Sequence, residues 1–187
     1  MRSFAILAAA AVMLTSCETV ANVIRDPIPN IGPCPSALSL YDAHRIVELE
    51  GGEVRFENVG FTGEILNIRS LCSYYGERPI VANLELDMAF GRGPAADGDT
   101  HTYEYFVAVT RRDIAVIEKQ AFPITVRFAA GEDRVFLTET IDAISIPRAT
   151  EGTSGTNFEI IAGFELTPEQ LAFNRSGQRF RVGAGQD

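Results

Sequence analysis

Tryptophan is absent from this 187-residue chain, lysine occurs once, at Lys119, and histidine twice, at His44 and His101. The two histidines stand in separate segments, which leaves little imidazole for proton transfer or metal binding, where groups must converge. Ser154 lies in Gly152-Thr153-Ser154-Gly155-Thr156, which lacks the Gly-x-Ser-x-Gly spacing of a nucleophile elbow. No His-Glu-x-x-His, phosphate loop or dinucleotide fingerprint is present. These absences predict a protein that is not an enzyme and takes no cofactor or metal, with both histidines solvated at the surface. Positive charge is scarce as well: 16 Lys and Arg face 25 Asp and Glu, for a formal charge of -9. Such a surface repels phosphate backbones and anionic lipid, so a nucleic-acid partner is excluded and membrane attachment has to come from something other than a polybasic patch. The cations are almost all arginine; recognition of acidic groups is one reading of that bias, and a GC-rich genome is the simpler one.

Long apolar runs are also missing. The longest, residues 4–14, has 11 residues, where a spanning helix needs about 20. With Arg2 before it, it has the charge and length of a signal peptide. It ends in Leu14-Thr15-Ser16-Cys17, which resembles the lipobox of bacterial lipoproteins. Small residues let the extended backbone enter a peptidase cleft, and the Cys17 thiol is the nucleophile that takes the diacylglycerol. The resemblance implies cleavage before Cys17, lipidation of that residue and a membrane anchor on the periplasmic side. Glu18, where an Asp would signal retention at the inner membrane, favours the outer membrane. An ordinary secretory signal with an incidental Cys is the alternative.

Residues 18–33 carry Pro27, Pro29, Gly32 and Pro33 without helix or strand periodicity, the composition of an extended tether. With Cys17 taken by lipid, Cys34 and Cys72 remain, and in an oxidising compartment they are expected to form a disulfide. A metal pair or redox pair is the alternative, but neither a Cys-x-x-Cys spacing nor a nearby His supports it. The expected organisation is a signal peptide over 1–16, lipidated Cys17 and linker over 17–33, one domain over 34–182, and a frayed tail over 183–187.

Within the domain, Gly, Pro and Asp clusters divide a series of β-like runs. Residues 36–47 are ambiguous between a helical turn and an edge segment. Runs over 54–59 and 65–75 follow. Residues 80–90 give the clearest strand: Ile80, Ala82, Leu84, Leu86, Met88 and Phe90 alternate with Val81, Asn83, Glu85, Asp87 and Ala89, a period of two. Alternation returns at Tyr103, Tyr105, Val107 and Val109, then after the turn Arg111-Arg112-Asp113 in a run over 114–118. It returns again at Phe122, Ile124, Val126 and Phe128, over 135–146, and in Phe158, Ile160, Ala162, Phe164 and Leu166. Thr167-Pro168-Glu169-Gln170 reads as a capped helical turn. Seven or eight strands without long helices between them predict an all-β, antiparallel, immunoglobulin-like β-sandwich with a short helical turn near the C-terminus, a closed barrel being the alternative.

Cys34-Pro35, Phe106-Val107-Ala108-Val109-Thr110, the segment Phe122-Pro123-Ile124-Thr125-Val126-Arg127-Phe128 and above all Leu166-Thr167-Pro168-Glu169-Gln170-Leu171-Ala172-Phe173-Asn174-Arg175 resemble an uncharacterised family of alphaproteobacterial lipoproteins. The resemblance covers most of the mature chain and implies no reaction, ligand or functional residue.

Three segments are candidates for binding, each with a plainer reading beside it. Asp97-Gly98-Asp99-Thr100-His101 alternates oxygen ligands as calcium favours, but lacks the EF-hand register and reads better as a solvated turn. Residues 152–157 form a polar loop, expected to be mobile, that either binds or merely connects. Arg111-Arg112 either pairs with an acidic partner or is a solvated hairpin tip. The overall expectation is a lipid-anchored, non-catalytic binding or structural module of the cell envelope, with an envelope protein as partner; a carrier or sensor of a small apolar ligand is the alternative.

Overall fold

The computed structural model describes residues 30, 32–51 and 53–180. The leader, Cys17 and the tail after residue 182 lie outside the described residues. Eight strands are present: β1 (Ser36–Ser39), β2 (Arg45–Leu49), β3 (Val59–Ser73), β4 (Ile80–Arg92), β5 (Thr100–Arg111), β6 (Ala115–Arg127), β7 (Arg134–Ile146) and β8 (Phe158–Phe164). Helix α1 (Pro168–Arg175) follows them. The strands make two four-stranded sheets, ordered β1-β8-β5-β6 and β2-β3-β4-β7. Every pairing is antiparallel except that of β1 with β8. The expected immunoglobulin-like β-sandwich is thus observed as two packed, mostly antiparallel sheets.

The period-two pattern explains the packing. Ile80, Ala82, Leu84, Leu86, Met88 and Phe90 of β4 all have 0% exposure, because alternate side chains of a central strand point into the space between sheets. Without tryptophan, smaller rings fill that space: Phe90 and Tyr103 lie 4.6 Å apart between centroids, and Phe164 meets Phe90 edge-on at 6.3 Å. Asp87 and Glu85, on the opposite face of β4, hold Arg69 of β3 at the surface, with Thr138 of β7 donating to Asp87. Among the described residues no helix is long and apolar enough to cross a membrane.

Three segments differ from expectation. The ambiguous stretch 36–47 is a strand switch: β1 lies along β8, a tight turn at Tyr41–Ala43 follows, and β2 then joins the other sheet. The run 54–59 is not a strand. Asn58 donates its side-chain amide to the Glu53 carbonyl and its backbone N–H to that of Arg55, closing a helical turn over Phe56–Asn58 before β3 begins. The runs 114–118 and 122–128 are one strand, β6, whose pairing with β5 shifts between Val109 and Thr110. The helical turn matches its signature fully. Thr167 Oγ1 accepts from the Gln170 N–H at 3.2 Å, and the Gln170 side chain accepts from the Thr167 N–H at 2.9 Å.

The strand directions divide the sandwich into two poles. One gathers Cys34, the β3–β4 turn, the β5–β6 hairpin tip and the β7–β8 connection. The other gathers the β2–β3, β4–β5 and β6–β7 connections.

Candidate functional site

The first pole is where the chain enters the fold. Cys34 and Cys72 are disulfide-bonded, with Cα atoms 5.7 Å apart, as expected. Asn30 accepts from the Tyr74 backbone N–H at 2.9 Å and donates to the Cys72 carbonyl at 3.2 Å. Tyr74, two residues beyond the disulfide, has 2% exposure. Its hydroxyl donates to the Pro33 carbonyl at 2.8 Å and accepts from the Gly155 N–H at 3.1 Å. Gly155 has to be glycine, because a Cβ there would collide with the Pro33 carbonyl.

Over the Tyr74 ring, 4.9 Å from its centroid, lies the Arg148 guanidinium. It donates to the carbonyls of Arg78 at 2.7 Å, Glu151 at 2.8 Å, Thr153 at 3.3 Å, and Gly76. A fixed fork of donors is suited to gathering carbonyls from two loops. Nothing in the local sequence marks Tyr74, Asn30 or Arg148 for this role.

The segment 152–157, expected to be a mobile loop, is held by this arrangement and by Ser154, whose Oγ accepts from the Thr156 N–H at 3.3 Å. Arg112, expected on a solvated tip, pairs with Glu159 at 3.1 Å and donates to Ser36 Oγ at 3.3 Å.

A groove opens on the flank of the sandwich, where β6 and β7 are the outer strands of their sheets. Its volume is about 360 Å³, with Val107, Val109, Phe122, Ile141 and Ile144 as apolar lining and Glu118, Gln120, Asp142 and Ser145 as polar lining. The cause is legible in β6. Gln120 and Glu118 pair with Val107 and Val109 and continue the inward-facing series of Phe122 and Ile124, but they are polar and exposed, so the sheets do not close over them. On β7, two residues, Asp142 and Ala143, stand opposite Asn83 alone. Ala143 has φ 59°, and its N–H donates to Asn83 Oδ1 at 3.0 Å. This bulge bends β7 at the groove and breaks the regular edge. The β6 edge has an extra residue, Ile117, between the pairs Thr110–Val116 and Val109–Glu118, and Pro123, which removes one donor; between them residues 118–122 pair without a shift, and residues 115–121 are exposed throughout.

A second groove, of about 470 Å³, lies between β2 and α1, lined by Val47, Leu49, Val54, Thr167, Gln170 and Phe173 among others.

His101 is not the solvated residue expected. It stacks on Phe61 at 4.2 Å and meets Tyr103 edge-on at 4.5 Å, and its Nε2 lies 3.1 Å from Glu48 Oε2. Burial raises the Glu48 carboxyl above its ordinary pKa, opposed by the neighbouring His101. His44 has different surroundings, with Nδ1 2.5 Å from the Tyr41 carbonyl. In the turn 97–101, Asp99 accepts from Thr100 Oγ1 at 3.0 Å and lies 3.8 Å from Arg127. Among the described residues no three His, Cys, Asp or Glu side chains gather as a metal group.

No family model, no curated protein and no solved structure matches the chain.

Proposed function

We propose that the chain is a lipid-anchored, non-catalytic binding module of the bacterial cell envelope that takes an extended segment of an envelope protein along the β6 edge, across the mouth of the β6–β7 groove. The observation that carries this reading is the combination of a strand edge that no strand among the described residues pairs with and an apolar groove beside it. Strand addition uses such an edge for main-chain hydrogen bonds and a neighbouring pocket for one side chain in two. With Glu118 and Asp142 at the groove, the fitting segment carries an apolar residue flanked by basic ones. The lipobox-like Leu14-Thr15-Ser16-Cys17 supports anchoring on the periplasmic side, and Glu18 supports the outer membrane.

Site-specific photo-crosslinking in intact cells tests the docking mode. A crosslinker at Gln120 is expected to capture a discrete adduct, while one at Phe136, which is 66% exposed on the outer face of β7, captures none. An adduct of equal yield at both positions, or none at Gln120, refutes it. Anchoring is tested by mass spectrometry of the native N-terminus, where diacylglyceryl Cys17 is expected, and by Cys17→Ser, which should leave unprocessed precursor.

A second reading, carriage of a small apolar ligand, is favoured by the larger β2–α1 groove, whose volume falls in the range of small-molecule sites, about 300–1,000 Å³. A lipid retained on the purified protein in native mass spectrometry, and lost with Phe173→Glu, would put this reading first.

A further inference from the structure

We infer that the tip of the β5–β6 hairpin is a second membrane contact, which rests on the bilayer surface that holds the lipid tether; this rests on the anchoring read from Cys17. The tip exposes apolar side chains that the described residues leave uncovered. Ile114 is 68% exposed, Val116 62% and Ile117 42%, three β-branched residues within four positions, on a turn where Asp113 has φ 57°. A cluster of this kind on a projecting loop marks an interaction surface.

The position of the tether decides what covers it. The tip and the chain entry share a pole: the Arg112 N–H donates to the Asn157 carbonyl at 2.9 Å, and the Arg112 side chain reaches Ser36 Oγ at 3.3 Å, two residues past the disulfide-bonded Cys34. From Cys17 to Asn30 the chain spans at most about 45 Å when fully extended. The pole is therefore kept within that distance of the bilayer, at a high local concentration of lipid surface. On the other sheet, Leu71 is 80% exposed just before Cys72.

Charge favours the same orientation. At the tether pole Arg78, Arg111, Arg112 and Arg148 balance Glu77, Asp113, Glu151 and Glu159. At the opposite pole Glu48, Glu50, Glu53, Glu57, Asp97, Asp99, Glu132 and Asp133 outnumber Arg55, Arg92, Arg127 and Arg134. An anionic bilayer repels the second pole and tolerates the first, where the exposed Arg78 and Arg111 can meet lipid phosphates.

The absence of tryptophan makes the test direct. Ile114→Trp introduces the sole indole of the chain at an exposed site, and Phe136→Trp does the same on the outer face of β7, away from the tip. Each lipidated full-length variant, purified from bacterial envelopes, is placed on vesicles of phosphatidylethanolamine and phosphatidylglycerol with brominated acyl chains. The expected result is blue-shifted emission and loss of most of the intensity at position 114, with neither at position 136. Equal behaviour at the two positions, or no quenching at 114 in protein whose Cys17 is shown by mass to be acylated, overturns the second contact and leaves the tether standing. Absence of the acyl group from native Cys17 overturns the tether and the second contact together.

Discussion

Tyr74→Phe removes a single oxygen and should destabilise the domain out of proportion to that change. The ring keeps its packing, but the Pro33 carbonyl loses its donor and the Gly155 N–H its acceptor, both at a position where Tyr74 is 2% exposed. A buried group left unpaired costs about 1–3 kcal/mol; the buried Gly155 N–H takes that range and the part-buried Pro33 carbonyl its low end of about 1 kcal/mol, so the two together put the loss at about 2–4 kcal/mol. For a domain of this size about 1 kcal/mol shifts the midpoint by about 2–4 °C, which places the fall in Tm at about 4–16 °C. The assay is thermal and urea unfolding of the oxidised protein, followed by circular dichroism. The substitution is then repeated in a Cys34→Ala, Cys72→Ala background. There Pro33 is no longer covalently held against β3 and its carbonyl can turn to water, so the effect of Tyr74→Phe should shrink, a coupling between neighbours that share one structure. A Tm within about 1 °C of the parent, or an equal loss with and without the disulfide, would refute the reasoning, since either result means that the hydroxyl is not the only partner of these two groups.

Three further outcomes follow from the same structure. Cys72→Ala should cost roughly 4 kcal/mol on the chain-entropy account of a loop of this length, measured by urea unfolding, with non-reducing peptide mapping of the parent linking Cys34 to Cys72. Asp87, held down at about 2 chiefly by Arg69 and then by Thr138, stabilises the fold fully above its ordinary value of 3.8, and that contribution is lost as pH falls toward 2; Asp87→Asn should flatten the stability profile in this acid window and leave it parallel to the parent above it. Thr167→Ala removes the cap of α1 and should cost about 1 kcal/mol, with faster hydrogen exchange confined to Pro168–Arg175.

What the sequence showed depends on how local the cause is. β4 was readable because a central strand must alternate, and the Thr167 to Gln170 cap because its four residues contain the whole motif. The cysteine pair followed from counting once Cys17 was assigned to lipid. The stretch 36–47 was not readable: β1 has four residues and owes its form to β8, more than a hundred residues away. The run 54–59 has strand-like composition, but the Asn58 side chain competes for the backbone and turns it. β6 looked like two segments because its first half, an outer edge over a groove, has no buried face to impose alternation. The groove itself has a signal in the sequence: Glu118 and Gln120 occupy the positions where the pattern of Phe122, Ile124 and Val126 calls for apolar side chains. The surroundings of His101 are not legible locally because its partners, Glu48 and Phe61, come from other strands. Tyr74 and Arg148 serve carbonyls supplied by distant loops, which no local pattern encodes.

The Cys34–Cys72 bond also determines how the molecule carries mechanical load. If the proposed lipid anchor holds the N-terminal end and a partner pulls on the domain, tension arrives at Cys34, where the next strand, β1, has only four residues paired with β8. Alone, that short pair would have to bear the whole force. The disulfide diverts part of the load into β3, which is 15 residues long and hydrogen-bonded to β2 on one side and β4 on the other. Cys72 sits near the pulled end of that strand, so the force runs along it and acts in shear on many hydrogen bonds at once. On that proposed anchoring, the bond makes the β2-β3-β4-β7 sheet, rather than the marginal first strand, the part of the fold that resists the pull.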